Sequence, residues 1–279
     1  MVTWGVFFAA AVNKTSRKLV MADVSHYLLL TLCSFLAYHV IYRHLTPLLL
    51  KALAFRPYSS LDKEKQNYVN FLTVSLIYTS VVGPCALLVH HFDRDLALVA
   101  QTGVLRYDSP AVRSLSAILL GYTAGETIVT LTDVGRTDLS LPQFLLHHVV
   151  SCWCTLVTCV YPCLPVYSNL VMATECSTIW LNIRVLLKEF GVPKSTSMNK
   201  CNNLVFFLTF SYVRVWLLVS KMYIPVTSLL MTKEFYFLEL PVVITFAFCS
   251  QFFVAINLNW FSRLCRRFSS NDLGYGNDG

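Results

Sequence analysis

Charge is scarce in this sequence: only 13% of its 279 residues are Asp, Glu, Lys or Arg, about half the share of an average soluble domain. A single soluble globule is excluded by that shortage. Cys-x-x-Cys pairs are absent although ten cysteines are present, which removes the usual spacing of a redox or zinc motif, and no metal site is expected. There is no internal repeat, no low-complexity tract and no loop long enough to fold alone. A lysine-based or Lys-Asp-Glu-Leu-type retention signal is also missing. Disorder, a secreted disulfide scaffold, a coiled coil and a soluble nucleic-acid binder fall away together.

What the chain does have is apolar sequence in blocks. Hydrophobic residues make up 56% of it, and they gather in seven stretches: His26 to Tyr42, Tyr68 to Phe92, Ala111 to Thr132, Leu141 to Val160, Val166 to Leu187, Leu204 to Ile224 and Val242 to Phe261. At about 20 residues per crossing, these predict an all-α polytopic membrane protein with about seven transmembrane helices. Barrel strands would be shorter and would alternate in polarity. Turn and charge signals such as Arg56-Pro57, Asp93-Arg94-Asp95, Gly191-Val192-Pro193 and the stretch Pro225 to Glu239 separate the blocks. Gly83-Pro84 is the one clear break inside a block. The expected organisation is an N-terminal extension over 1–23, a first helix and loop over 24–66, a six-helix unit over 67–268 and a short disordered tail over 269–279.

Lys and Arg set the orientation. With a lumenal amino terminus, the cytosolic segments hold twelve of them, including Arg263, Arg266 and Arg267, against eight on the other side. The carboxyl terminus is therefore expected in the cytosol, and the net charge of +7 reads as topology and contact with anionic headgroups. Asn13-Lys14-Thr15 is a glycosylation sequon that would be lumenal. Met1 to Val12 is apolar but makes a poor signal peptide, because no basic region precedes it. Met21 could be an alternative start, with the first strong helix as its own signal anchor.

Ionisable groups inside the blocks carry the most information. Glu126, His147, His148, Glu175, Arg184 and Arg214 all lie in apolar sequence. Three exposed charges, Glu126, Glu175 and Arg214, would together cost on the order of 8 to 10 kcal/mol in lipid, so they are expected to converge on an interior. Glu175, Thr178 and Asn182 share one helical stripe, and His148, Cys152, Thr155 and Cys159 share another. The link Tyr161 to Pro165 makes those two helices antiparallel neighbours, and the stripes can face each other across a polar chamber. Arg214 could pair there with Glu175 or Glu126, while Tyr122 and Thr130 give the third block a polar face. The competing reading is that such residues only hydrogen-bond between helices, at about 0.6 kcal/mol each. The clustered Cys152, Cys154, Cys159 and Cys163 are expected to be packing residues.

Leu141-Pro142-Gln143-Phe144-Leu145-Leu146-His147-His148-Val149-Val150, with Thr155 after it, resembles the paired-histidine motif of TLC-domain membrane proteins, the family of ceramide synthases and translocating-chain-associated membrane proteins. Glu175-Cys176-Ser177-Thr178, continuing to Asn182 and Arg184, is similar to the Glu-x-Ser-Thr-x-x-x-Asn-x-Arg pattern of the smaller TLC domain-containing proteins. Val213-Arg214 followed by Ile224-Pro225 fits the same branch, and the resemblance covers roughly residues 68–267. It implies six helices around a central polar chamber, with the first block as an extra helix, and residence in the endoplasmic reticulum. In ceramide synthases a His-Asp and a further Asp on the next helix accompany acyl transfer from acyl-CoA to a sphingoid amine. Here that stretch reads Thr174-Glu175-Cys176-Ser177-Thr178, without either aspartate.

Two functions stay open on the sequence. One is a lipid-homeostasis protein without catalysis, whose chamber binds an amphipathic membrane lipid and holds its head with His147, His148, Glu175 and Arg214; Glu126, Cys152, Thr155, Thr178, Asn182 and Arg184 would line the chamber. The alternative is an N-acyltransferase in which His147 or His148 acts and Glu175 orients the imidazole. No cofactor is expected, with acyl-CoA a co-substrate only in the alternative. A transporter or cargo escort fits less well, since matched broken helices are missing, and so are the Asp-Arg-Tyr and Asn-Pro-x-x-Tyr signatures of seven-helix receptors. The residues do not fix an oligomeric state.

Overall fold

A computed structural model describes residues 24–52, 56–134 and 141–269. The N-terminal extension with its sequon and the tail after Ser269 lie outside them. Seven helices among the described residues are long and apolar enough to cross a membrane: α1 (Val24–Ala52), α2 (Lys63–Phe92), α4 (Pro110–Val134), α5 (Leu141–Val160), α6 (Pro165–Glu189), α7 (Ser197–Leu229) and α8 (Leu240–Arg266). A short helix, α3 (Arg94–Thr102), follows α2. Each apolar block of the sequence falls inside one of the seven long helices.

Local chemistry fixes the helix starts. Asp62 accepts from the Lys65 amide at 2.8 Å and opens α2. Asp93 closes α2 and opens α3, accepting from the amides of Asp95 and Leu96 at 3.0 Å. Ser109 before Pro110 and Thr196 before Ser197 cap α4 and α7 in the same way, each meeting amides that a helix start leaves without internal partners.

Contrary to the sequence reading, Gly83-Pro84 does not interrupt α2, which runs unbroken over 30 residues. A proline costs its own amide, and membrane helices absorb that loss through neighbouring groups. The glycine serves packing instead: a Cβ at Gly83 would lie 2.7 Å from the Glu175 carbonyl carbon and would run into the Cys176 backbone. Only a bare backbone lets α6 come this close.

Lipid tails are as apolar as leucine, so helices in a bilayer associate through tight packing. α1 lies chiefly on α4, α2 on α6, α5 on α4, and α8 on α7. At the α1–α4 seam, Gly121 and Gly125 turn bare backbone toward α1, where a Cβ would meet the side chains of Ser34 and Tyr38. Tyr38, Tyr78 and Tyr122 tie α1, α2 and α4 together, with the Tyr78 and Tyr122 rings stacked 5.0 Å apart. A second apolar core, with Leu170, Leu218, Met222 and Phe235, joins α6 to α7 and its following turn. Arg113 is buried near the start of α4. It donates to the Cys159 carbonyl at 2.8 Å, pairs with Asp108 at 2.9 Å and lies over the Tyr27 ring.

Among the described residues, four stretches depart from α geometry into wider π turns, the longest of them Ser211–Tyr223 within α7. Such turns recur at functional sites.

Candidate functional site

The lining of a cavity of about 850 Å³ comes from α2, α4, α5, α6, α7 and α8, while α1 contributes no lining residue. Two polar clusters form its wall.

The first is built around Arg214, which projects from the π stretch of α7. Its Nε donates to Ser177 Oγ at 2.6 Å, Nη1 to Asn257 Oδ1 at 3.0 Å and Nη2 to Thr178 Oγ1 at 2.8 Å. Glu175 Oε1 lies 3.9 Å from Nη2, and the rings of Phe210 and Trp260 face the guanidinium. A planar group with five fixed donors suits this spread of acceptors from two helices. The position of Glu175 comes from α6 itself. That helix breaks at Thr174, whose hydroxyl bonds back to the Val171 carbonyl at 2.7 Å, so Glu175 begins a new helical run at its positive end.

Glu126 and His148 form the second cluster, both buried. His148 Nε2 is 3.5 Å from Glu126 Oε2, and its Nδ1 is 3.2 Å from Thr127 Oγ1. Ser75 Oγ lies 2.8 Å from the Tyr122 hydroxyl and accepts from Asn182 Nδ2 at 2.9 Å, which links α2, α4 and α6 beside the carboxylate. The adjacent His147 points elsewhere, as residues about 100° apart on a helix must. Its ring packs edge-on against Phe253 and Trp260 of α8, at 5.8 and 5.5 Å. His147 Nδ1 and Trp260 Nε1 are both buried without a hydrogen-bond partner.

The cavity thus brings together Glu126, His147, His148, Thr155, Glu175, Thr178, Asn182, Arg184 and Arg214 in its wall. Cys152 is not among the lining residues; the inward face of α5 runs through Phe144, His147, His148, Ser151, Cys154 and Thr155. Of the stripe read from the sequence, His148 and Thr155 line the cavity and Cys152 does not, while Cys159 at its far end packs against Tyr27 and Ala117. Thr130 is buried away from the cavity. The carboxylate beside an imidazole is Glu126, whereas the sequence reading gave that place to Glu175, which pairs with Arg214. Despite their short link, α5 packs mainly on α4 and α6 mainly on α2, and their polar faces look at each other across open space. Asn257 and Ser75 went unnoticed in the sequence; Asn257 left a signal, an amide inside an apolar block. All ten cysteines are free thiols, and Cys154 and Cys249 hydrogen-bond to each other between α5 and α8.

Outside the spans, the loops at the end where α4 and α6 begin are clasped together. Arg106 Nη1 donates to Glu239 Oε1 at 2.6 Å, and the Cys163 thiol lies 3.7 Å from the other carboxylate oxygen. Burial works against the Glu239 charge, but the Arg106 hydrogen bond and charge outweigh it and hold the carboxyl below its usual range. Burial, with Glu239 beside it, pushes the Cys163 thiol up to about 12.

The TLC domain family model matches residues 69–266. The chain belongs to the TLC-domain family. No curated protein and no solved structure matches it. The matched residues include every candidate residue and take in the six cavity-lining helices, α2 from Val69 onward, and α1 precedes them. Among the described residues, no group of three or more His, Cys, Asp or Glu is arranged to hold a metal.

Proposed function

We propose that this TLC-domain protein acts in lipid homeostasis of the endoplasmic reticulum membrane, with its carboxyl terminus in the cytosol, by holding one amphipathic lipid in the cavity. The observation that carries this reading is the cavity itself. Its volume of about 850 Å³ lies in the upper part of the ~300–1,000 Å³ range of small-molecule sites. Apolar side chains such as Phe71, Leu72, Leu119 and Phe144 share its wall with the Arg214 and Glu126 clusters, and both clusters are already paired within the protein. Groups bonded this way suit a site that binds and orients better than one whose bases must exchange protons. Native mass spectrometry of gently purified protein is expected to show a retained lipid, and cells lacking the protein an altered lipid profile that a His147→Ala/His148→Ala variant does not restore. Absence of both effects would sink the reading.

One observation favours an acyltransferase as the second reading: Glu126 stands 3.5 Å from His148 Nε2, close enough to stabilise an imidazolium during acyl transfer from acyl-CoA. Amide product from acyl-CoA and long-chain bases, lost in the double-histidine variant, would put this reading first.

A further inference from the structure

We infer that lipid enters and leaves the cavity sideways from the bilayer, where α5 parts from the second half of α8. The inference rests on the lipid-binding reading of the same cavity and adds the route by which that lipid comes and goes.

Six helices wall the cavity, and helices in a bilayer are held together by close packing, so a route should run where the packing is poorest. α2 packs along α4 and α6, α4 along α5, α6 along α7, and α7 along α8. α5 and α8 close the ring, yet among the described residues their backbones meet chiefly at the wide turn Thr245–Cys249 of α8. Side chains hold that joint: Trp153 Nε1 donates to Thr245 Oγ1 at 2.8 Å, and the thiols of Cys154 and Cys249 bond to each other. A gap of about 40 Å³ remains beside it, with Cys154, Thr155, Thr245 and Cys249 in its wall. Atoms that face a void lose their dispersion partners, so the joint is weakly packed even where it is closest.

Beyond the joint, toward the carboxyl end of α8, rings close the seam. His147 of α5 packs edge-on against Phe253 and Trp260 of α8, and all three residues also line the cavity. Leu146 and Val149, close to His147 on α5, are exposed on the outer surface. A single layer of side chains therefore stands between cavity and acyl tails. Parting the α2–α6 seam would separate backbones already in contact at Gly83, whereas parting this one turns aside three rings, each ring pair worth roughly two- to tenfold in an equilibrium. The open end of the cavity is a poorer route. Lys194 and Arg263 line it and are exposed there, and a chain leaving that way would cross water at a cost of about fourfold per methylene.

The test follows exchange of the retained lipid in the full-length protein. Protein purified with its lipid is reconstituted into vesicles of deuterated total lipid extract from the same host cells, and native mass spectrometry reads how fast a heavy lipid replaces the light one. Diamide joins Cys154 to Cys249 by taking up the two thiol hydrogens as the S–S bond forms. This bridge is expected to slow exchange at least about tenfold, dithiothreitol to restore it, and Cys249→Ser to be insensitive to diamide. Phe253→Ala, which removes one ring pair, should speed exchange by roughly two- to tenfold, while Leu170→Ala, in the core between α6 and α7, should not. The bridge decides the matter even if Phe253→Ala does not fold. Exchange that ignores the bridge, equal acceleration by Leu170→Ala, or thiols that never join would each overturn the inference and leave the lipid-binding reading standing. No retained lipid of any kind would end both.

Discussion

Arg214 gathers α6, α7 and α8 at one guanidinium through three hydrogen bonds and one ion pair. A lysine there keeps the charge but reaches fewer of these acceptors. Losing two charge-assisted bonds at about 1.5 kcal/mol each, Arg214→Lys is expected to destabilise the protein by about 3 kcal/mol and to lower lipid retention. Thermal unfolding in detergent beside native mass spectrometry measures both; an unchanged midpoint would mean that the cluster does not bear on stability. The sequence made Glu126, Glu175 and Arg214 visible because an intramembrane charge is costly. It could not say which acid faces which base, since pairing depends on the relative rotation of helices far apart in the chain. Cys152 and Cys154 show the same limit within one helix: spacing placed His148 and Thr155 on the cavity wall, but at the position between them the wall takes Cys154 and not Cys152. Asn257 and Ser75 escaped because uncharged polar groups are ordinary between membrane helices.

At the scale of the element, the seven spans were legible from their length and apolar content alone, and the structure kept every one. Breaks within them were not. The Gly83-Pro84 pair stays helical, while α6 breaks at Thr174, where the residues gave no warning, and α7 widens over Ser211–Tyr223 and resets the rotation that places Arg214. Close approach between helices is equally silent until both partners are seen. Gly83→Ala puts a methyl group into the backbone at Glu175 and Cys176. Overpacking of this kind costs about 1–3 kcal/mol, and here it should also displace Glu175 from Arg214. The expected result is a lowered unfolding midpoint together with weaker lipid retention. Gly121→Leu should lower the midpoint too, by prising α1 from α4, yet leave lipid retention intact, because α1 lines none of the cavity. Equal loss of lipid in the two variants would contradict that division.

For the whole molecule, the cavity opens at one end and the Arg106–Glu239 clasp binds loops at the other. A carboxyl held below its usual range contributes stability that is complete above that range. It is lost as pH falls from about 4.3, the ordinary glutamate value, through the lower folded one. Unfolding midpoints measured from about pH 7 to about pH 3 are expected to drop in acid, with Glu239→Gln flattening the drop. At neutral pH the substitution should cost about 1 kcal/mol or less, since both partners are partly exposed. A full acid drop in the variant would assign it to other groups. Trp260, finally, is the one tryptophan among the described residues that faces the cavity, while Trp153 and Trp216 lie on the outer surface. The protein therefore contains its own optical gauge of occupancy: a brominated acyl chain seated inside should quench the indole emission of Trp260 in proportion to filling, with no label attached.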